Sequence, residues 1–259
     1  MLKIAARLMV LFTFLVTSCV TTSCNHAFWD GGPIGATALP RTSFVKIEKI
    51  IKLKVCSAEE PENCFTKTLV SSGSGFVVKN DEDGSFIFTA GHVCDDSDVI
   101  KRFKRPNVTV LKTQFVVIDI SNKRYNAKTI VFTMCEDMCV AYAPGLHRPA
   151  ADIAKVSPHP GAQVFNLAAP LGVFEKNMIP ILHGHYSGRA YGGKALYTIP
   201  AIGGSSGSPV FNRRGEVVGM IHSVHYRFHH LAISPTHEEI QDYILKYANR
   251  KTLLENLVK

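Results

Sequence analysis

Short apolar runs rich in β-branched and aromatic residues recur along the chain, and turn-forming residues separate them. Runs of this length and composition are typical of β-strands, and a long succession of them is typical of an all-β sandwich or a pair of barrels. We therefore predict an all-β fold. The predicted strands cover 44–55, 67–78, 85–89, 108–120, 125–132, 139–143, 163–167, 180–185, 195–199, 209–212, 217–224 and 228–233.

The end of the chain has a different pattern. Ser234 can cap a helix, and Pro235 suits the first helical position. Apolar residues then recur at helical spacing, at Ile240, Ile244 and Leu245. We predict one C-terminal helix after the strands.

The composition suits one large β domain or two fused barrels. Of the 259 residues, 46% are hydrophobic and 19% are charged, which is enough for a substantial core and excludes a disordered or fibrous chain. Residues 19–42 mix Ser, Thr, Gly and Pro without periodicity, so we interpret them as a flexible tether. The folded domain is expected over 43–259.

The first residues resemble an export signal. Lys3 and Arg7 precede an apolar stretch that is too short to span a bilayer. Residues 16–19 resemble the lipobox of bacterial lipoproteins, which implies a signal peptide over 1–18 and lipidation of Cys19. The alternative is an ordinary cleaved signal with an incidental cysteine. We expect an exported protein of the cell envelope, anchored to the membrane and facing the periplasm or the exterior.

Export makes disulfides more plausible than metal sites for the remaining cysteines. Cys56 and Cys64 flank a short polar segment and are expected to pair. Cys94 should bridge to Cys135 or Cys139, and the latter two should not pair because four strand residues hold them about 13 Å apart. Six reduced core thiols are the alternative.

The formal charge of +8 and the basic run at 101–105 raise a nucleic-acid hypothesis. We reject it because the other basic residues are scattered and no nucleic-acid module is visible. Positive charge near anionic lipid is a simpler explanation.

Three separate segments carry residues suited to acyl transfer by serine. Ser206 stands in a glycine-rich turn, where the backbone N–H groups of Gly204 and Ser206 can bind an oxyanion. His92 follows an apolar strand and can act as the base, and Asp137 precedes another apolar run and can fix the tautomer of the histidine. His, Asp, Ser is a known chain order for this triad.

Other residues compete for some of these roles. Asp152 also precedes an apolar run, and Asp119 lies in a predicted strand. We prefer Asp137 because more chain is then left for the strands that follow. The histidines at 222, 225, 229 and 230 lack compact ligand spacing, so we expect solvated or packing side chains and no metal or cofactor.

The segments 89–92 (Thr-Ala-Gly-His) and 204–210 (Gly-Ser-Ser-Gly-Ser-Pro-Val) resemble the histidine and serine motifs of trypsin-like peptidases. The chain most resembles the protease domain of the HtrA family, through further matches at 73–78, 169–172, 215–219 and 231–234. The resemblance implies two six-stranded antiparallel barrels with the site between them. It also implies protein or peptide substrates, and we expect no PDZ domain.

One departure bears on specificity. Ser208 replaces a glycine that is usual in the HtrA family, and residues 206–212 match a run in bacterial glutamyl endopeptidases. Those enzymes bind glutamate through a histidine one position before His222, and a shift of one residue reverses the face of a strand. Glutamate specificity is therefore not expected.

The leading hypothesis is a serine endopeptidase that works through an acyl-enzyme. A second is a non-catalytic envelope chaperone or binding module on the same fold. A third is a protease that is latent until trimerisation or a partner orders the loop 201–204.

Overall fold

A computed structural model describes residues 39–57, 59, 62–97, 107–190 and 192–257. The predicted signal peptide, Cys19, most of the tether and the basic run 101–105 lie outside the described residues. Among the described residues, no helix has the length and apolar character needed to cross a membrane.

The first barrel is closed and has six antiparallel strands in the order β1-β2-β3-β6-β5-β4. Along β1, residues 45, 47, 49, 51 and 53 are buried while most of their neighbours are more exposed, which is the alternation that a one-sided strand requires. The strands are β1 Phe44–Cys56, β2 Cys64–Asn80, β3 Gly84–Thr89, β4 Val108–Asp119, β5 Arg124–Thr133 and β6 Met138–Pro144.

The second sheet has seven strands in the order β11-β10-β7-β8-β9-β13-β12. Its core includes Val164, Tyr197, Val210 and Ala232. The strands are β7 Gln163–Leu167, β8 Ile181–Arg189, β9 Ala195–Tyr197, β10 Ser208–Phe211, β11 Val217–Ile221, β12 Ser223–His225 and β13 Phe228–Ser234.

The predicted strand 217–224 is interrupted at His222, and this accounts for the seventh strand. β11 and β12 occupy opposite edges of the sheet but are separated in the chain by this one residue. The sheet is therefore bent until its two edges nearly meet, and it forms a nearly closed barrel. The predicted all-β fold of two antiparallel barrels is confirmed, with seven strands instead of six in the second.

The C-terminal segment forms two helices, where one was predicted: α2 (His237–Tyr247) and α3 (Arg250–Leu257). The N-cap of α2 is Thr236, in a capping box with Glu239, so the prediction of Ser234 as the cap and Pro235 as the first helical residue was wrong. The hydroxyl of Ser234 instead accepts from Met220 N–H at 2.8 Å and donates to the Pro235 carbonyl at 2.6 Å. A side chain used in this way cannot cap a helix.

Two disulfides lie within the first barrel: one joins β1 to β2, and the other joins the segment after β3 to β6. Cys56 pairs with Cys64, as predicted, and Cys94 pairs with Cys139, which resolves the open choice between Cys135 and Cys139. Cys135 is free and exposed.

Candidate active site

A cleft of about 300 Å³ is lined by residues of both barrels. The first barrel contributes Gly73 and His92, and the second contributes Gly204 and Ser206. A larger cavity of about 550 Å³ lies beside 156–163 and 212–214, and its lining includes none of the predicted site residues. The smaller cleft is therefore the candidate active site.

His92 is held against Asp137 by its backbone and its ring. It lies on the short helix α1 (Gly91–Cys94), and its backbone N–H donates to Asp137 Oδ1 at 2.9 Å. The ring nitrogen Nδ1 is 3.0 Å from both carboxylate oxygens. Because a carboxylate is an acceptor, Nδ1 carries the proton and Nε2 is left as the basic nitrogen.

The position before His92 has room for glycine only. A Cβ at this position would lie 2.7 Å from the Thr133 carbonyl oxygen and 3.0 Å from Met138 N. Any side chain would therefore push α1 away from the turn that carries Asp137. Asp137 has a φ of 53°, a left-handed conformation that aspartate tolerates better than most residues.

A second histidine contacts the same carboxylate. His222 Nδ1 is 3.3 Å from Asp137 Oδ2, and its side chain is 13% exposed. Burial alone would raise the pKa of the Asp137 carboxyl, but hydrogen bonds from His222 and His92 outweigh burial and hold the pKa well below its ordinary value. Asp137 is therefore ionised throughout the neutral pH range.

Neither competing acid contacts His92. Asp119 is fully buried and accepts hydrogen bonds from Ser121, Tyr125 and Arg148. Asp152 is exposed, and its carbonyl accepts the N–H of Val217. Of the three candidate acids, Asp137 is the one that the structure brings to His92.

The loop before Ser206 leaves two N–H groups free. Gly204 has a φ of +96°, and a Cβ there would lie 2.4 Å from the Ala169 carbonyl oxygen, so this position requires glycine. Within the part of the chain that the structure describes, the N–H groups of Gly204 and Ser206 donate no hydrogen bond. These are the two groups predicted to bind an oxyanion.

The hydroxyl of Ser206 and Nε2 of His92 also make no hydrogen bond to any described residue. Both side chains line the same cleft. Catalytic hydrogen bonds in unliganded enzymes are often long and shorten when substrate binds. The arrangement has the parts of a nucleophile, a base and an acid that orients the base, with two donors beside the nucleophile.

A family model described as a trypsin-like peptidase domain matches residues 73–220, more than half of the chain. The chain belongs to this family. The membership confirms the resemblance to trypsin-like peptidases that the histidine and serine motifs indicated.

Solved structures of two proteases share the fold. The serine endoprotease from Yersinia pestis has 15% identity and a TM-score of 0.58, over 83% of this chain and 65% of that one. The active form of the Rv3671c protease from M. tuberculosis has 18% identity and a TM-score of 0.56, over 83% of each chain. The chain thus spans less than two thirds of the Yersinia protein. No curated protein matches it.

His222 is the site residue that sequence reasoning missed in this trypsin-like peptidase. It was interpreted as a packing or solvated histidine, or as a displaced specificity residue, but its ring contacts Asp137. The sequence does place His222 at the end of an apolar run. Its contact with Asp137, however, depends on the bend between β11 and β12, which the sequence pattern does not indicate.

The remaining histidines of the predicted cluster, at 225, 229 and 230, are exposed. Among the described residues, no group of three or more His, Cys, Asp or Glu side chains is arranged to hold a metal ion.

Proposed function

We propose that this trypsin-like peptidase is a serine endopeptidase that hydrolyses peptide bonds through an acyl-enzyme intermediate. The observation that carries the proposal is the cleft in which His92, fixed by Asp137, faces the same space as Ser206 and the free N–H groups of the loop. Protein or peptide substrates are the class expected of the family.

In the first half-reaction, the hydroxyl oxygen of Ser206 forms a bond to the carbonyl carbon of the scissile peptide. His92 Nε2 takes the hydroxyl proton, and the charge that develops on the carbonyl oxygen is stabilised by the N–H groups of Gly204 and Ser206. His92 then gives the proton to the leaving amine as the C–N bond breaks, which leaves an ester on Ser206.

In the second half-reaction, water attacks the ester. His92 takes a proton from the water and returns it to Ser206 Oγ as the acid product leaves. The carboxylate of Asp137 stabilises the imidazolium in both halves. Every group that this scheme uses belongs to the chain, so it requires no cofactor.

The decisive experiment combines turnover with labelling. The wild-type protein should cleave casein and react with a fluorophosphonate probe, and mass spectrometry should locate the adduct on Ser206 and not on the neighbouring Ser205 or Ser208. Ser206→Ala should lose both activities. Unchanged turnover in Ser206→Ala, or an adduct on another serine, would refute the mechanism.

The alternative of a non-catalytic chaperone or binding module makes the opposite prediction. A pure binding module would not be labelled by the probe in the wild-type form, under reducing or oxidising conditions, and would cleave no protein. The free N–H groups of Gly204 and Ser206 favour the enzyme because they occur together with a histidine that a carboxylate orients, and binding alone requires no such base.

We also propose that the protein is exported and held at the cell envelope by lipid on Cys19. The support is the lipobox-like sequence and the two disulfides, since disulfides persist in oxidising compartments. Cys19→Ala should move the protein from the membrane fraction to the soluble fraction. A variant that stays in the membrane fraction would contradict the lipid anchor.

A further inference from the structure

We propose that Ser74 is a positioning residue whose hydroxyl fixes the loop that forms the oxyanion hole, an inference that rests on the proposed peptidase function. Ser74 lies on β2 in the first barrel and is fully buried. The loop that it contacts belongs to the second barrel. The oxyanion hole would thus depend on a side chain from the opposite side of the cleft.

Every polar atom of Ser74 has a partner. Its backbone N–H donates to the Ser206 carbonyl at 2.8 Å, and its carbonyl accepts from the Thr89 hydroxyl at 2.7 Å. Its own hydroxyl accepts from the Ala169 N–H at 3.0 Å and donates to the Gly204 carbonyl at 2.8 Å. The hydroxyl therefore bridges two backbone segments that no other described side chain links in this way.

The hydrogen bonds of the loop determine where its N–H groups point. In a trans peptide, the carbonyl of one residue and the N–H of the next point in opposite directions. The Gly203 carbonyl accepts from the Leu171 N–H at 2.7 Å, so the N–H of Gly204 points the other way. The Ser205 carbonyl accepts from the Ser208 N–H at 3.0 Å, which directs the N–H of Ser206 in the same manner.

Ser74 holds the carbonyl of the peptide that lies between these two, and the N–H of the same peptide donates to the Ile202 carbonyl at 2.8 Å. The carbonyl of Gly204 and the N–H of Ser205 belong to that middle peptide, and rotation of it would turn both flanking donors away from their common focus. Ser74 contributes a second time through Ala169, because the turn 169–172 provides the Leu171 N–H that holds Gly203. Loss of one hydroxyl would thus free the carbonyl of the middle peptide, leaving only its N–H bonded to Ile202, and loosen the turn that holds Gly203.

Removal of the hydroxyl would leave the Gly204 carbonyl and the Ala169 N–H without partners in a buried place. Buried backbone groups without partners are unfavourable, so the loop would shift or water would enter to satisfy them. Either response misplaces the donors. Since these donors matter most when charge is on the substrate oxygen, the expected loss is in turnover and not in substrate binding.

The test compares Ser74→Ala with Ser85→Ala. Ser85 is a fully buried serine on β3 of the same barrel, and its hydroxyl contacts the Leu146 carbonyl and Asn80, away from the cleft. On a peptide that the wild type cleaves, Ser74→Ala should lower kcat by about 10- to 100-fold with KM changed by less than about threefold. Ser85→Ala should keep wild-type kcat.

A second measurement separates positioning from general destabilisation. A peptide boronate forms a tetrahedral adduct that occupies the oxyanion hole, and its affinity should fall with Ser74→Ala in parallel with kcat, while the affinity of the cleaved peptide product stays the same. If Ser74→Ala does not fold, Ser74→Cys replaces it, since a thiol is a weaker donor of similar size. Its kcat and boronate affinity should fall by a smaller factor.

The outcomes distinguish the two proposals. If the wild-type protein shows no turnover, or if its turnover does not depend on Ser206, the proposed peptidase function is refuted. The role of Ser74 is then refuted with it. The wild type could instead be active while Ser74→Ala or Ser74→Cys matches Ser85→Ala in kcat and in boronate affinity. That result would refute the role of Ser74 and leave the peptidase function standing.

Discussion

The disulfide between Cys94 and Cys139 joins the segment that carries His92 to the strand that follows Asp137. Cys94 ends α1, two residues after His92, and Cys139 lies two residues after Asp137 in β6. Replacing both cysteines by alanine would leave the hydrogen bonds between His92 and Asp137, together with the pairing of β3 with β6, to hold these segments. We predict that this double variant loses both stability and turnover.

The expected loss of stability follows from the length of chain that each bridge closes. Cys94 and Cys139 are 45 residues apart, and Cys56 and Cys64 are 8 apart. Loop-closure entropy then gives about 4 kcal/mol for the long loop and about 2.5 kcal/mol for the short one. The short bridge lies at the end of the β1–β2 hairpin, so it is a matched control that does not adjoin the site residues.

The assay is urea unfolding followed by far-ultraviolet circular dichroism, combined with turnover of a peptide under conditions where each protein is folded. Cys94→Ala/Cys139→Ala should lose about 4 kcal/mol of unfolding free energy, and kcat should fall by at least about 10-fold because His92 is held less firmly. Cys56→Ala/Cys64→Ala should lose the smaller amount of stability and keep its kcat. Both cysteines of each bridge are replaced so that Cys135 cannot form a new pair.

Two results would refute this reasoning. Equal losses of stability in the two double variants would show that loop length does not govern the contribution of these bridges. Full turnover in folded Cys94→Ala/Cys139→Ala would show that the hydrogen bonds alone position His92.

Three further predictions concern charged groups: two test the contacts of Asp137, and one tests the ion pair of Asp119 with Arg148. Asp137→Asn should lower kcat by about 10⁴-fold, because an amide can force the wrong tautomer on His92. Steady-state kinetics will measure this loss. A loss of kcat below tenfold would exclude Asp137 as the acid that orients His92. His222→Ala should lower kcat by about 10-fold without a matching change in KM. His222→Asn keeps a hydrogen-bond donor, so it should recover part of the lost kcat in the same assay. Equal kcat in the wild type and both variants would refute a role for the contact in catalysis. Arg148→Met removes the partner of Asp119 and should lower the free energy of unfolding by about 2 kcal/mol at neutral pH. The loss is smaller than for a fully buried ion pair because the Arg148 side chain is 28% exposed. Burial raises the pKa of Asp119 but its hydrogen bonds lower it further, so this stabilisation exists above about pH 4 and is lost as the pH falls. In urea unfolding, the difference in unfolding free energy between Arg148→Met and the wild type should therefore become smaller in acid. A difference that does not change with pH would contradict the role of the Asp119–Arg148 pair.

Most strands could be predicted from the sequence because each is a short run of β-branched and aromatic residues between turn-forming residues, whether it is buried on one face, as in β1, or at every position, as in β3. β7 was predicted with its observed bounds, and most strands of the first barrel to within a residue or two. The N-cap of α2 was also readable, since Thr236 is followed three residues later by Glu239, the pattern of a capping box. The preceding Ser234–Pro235 pair offered a rival cap, and only the contact of Ser234 with β11 excludes it.

The pairing of the site residues was predictable to a different degree. His92 follows one apolar run and Asp137 precedes another, and the antiparallel pairing of β3 with β6 places the end of the first run beside the start of the second. His222 could not be placed in the same way. Its ring reaches Asp137 because the chain bends at the junction of β11 and β12, and that bend depends on closure of the whole second sheet.

The contacts that cross the cleft suggest why the site needs both barrels at once. Asp137 in the first barrel contacts His222 in the second, and Ser74 in the first holds the carbonyls of Gly204 and Ser206 in the second. If the barrels moved apart, the acid would lose a donor and the oxyanion loop would lose its support together. Because both losses affect the same reaction, a double variant of Ser74 and His222 should lower kcat by less than the product of the two single effects, whereas independent roles would give the full product.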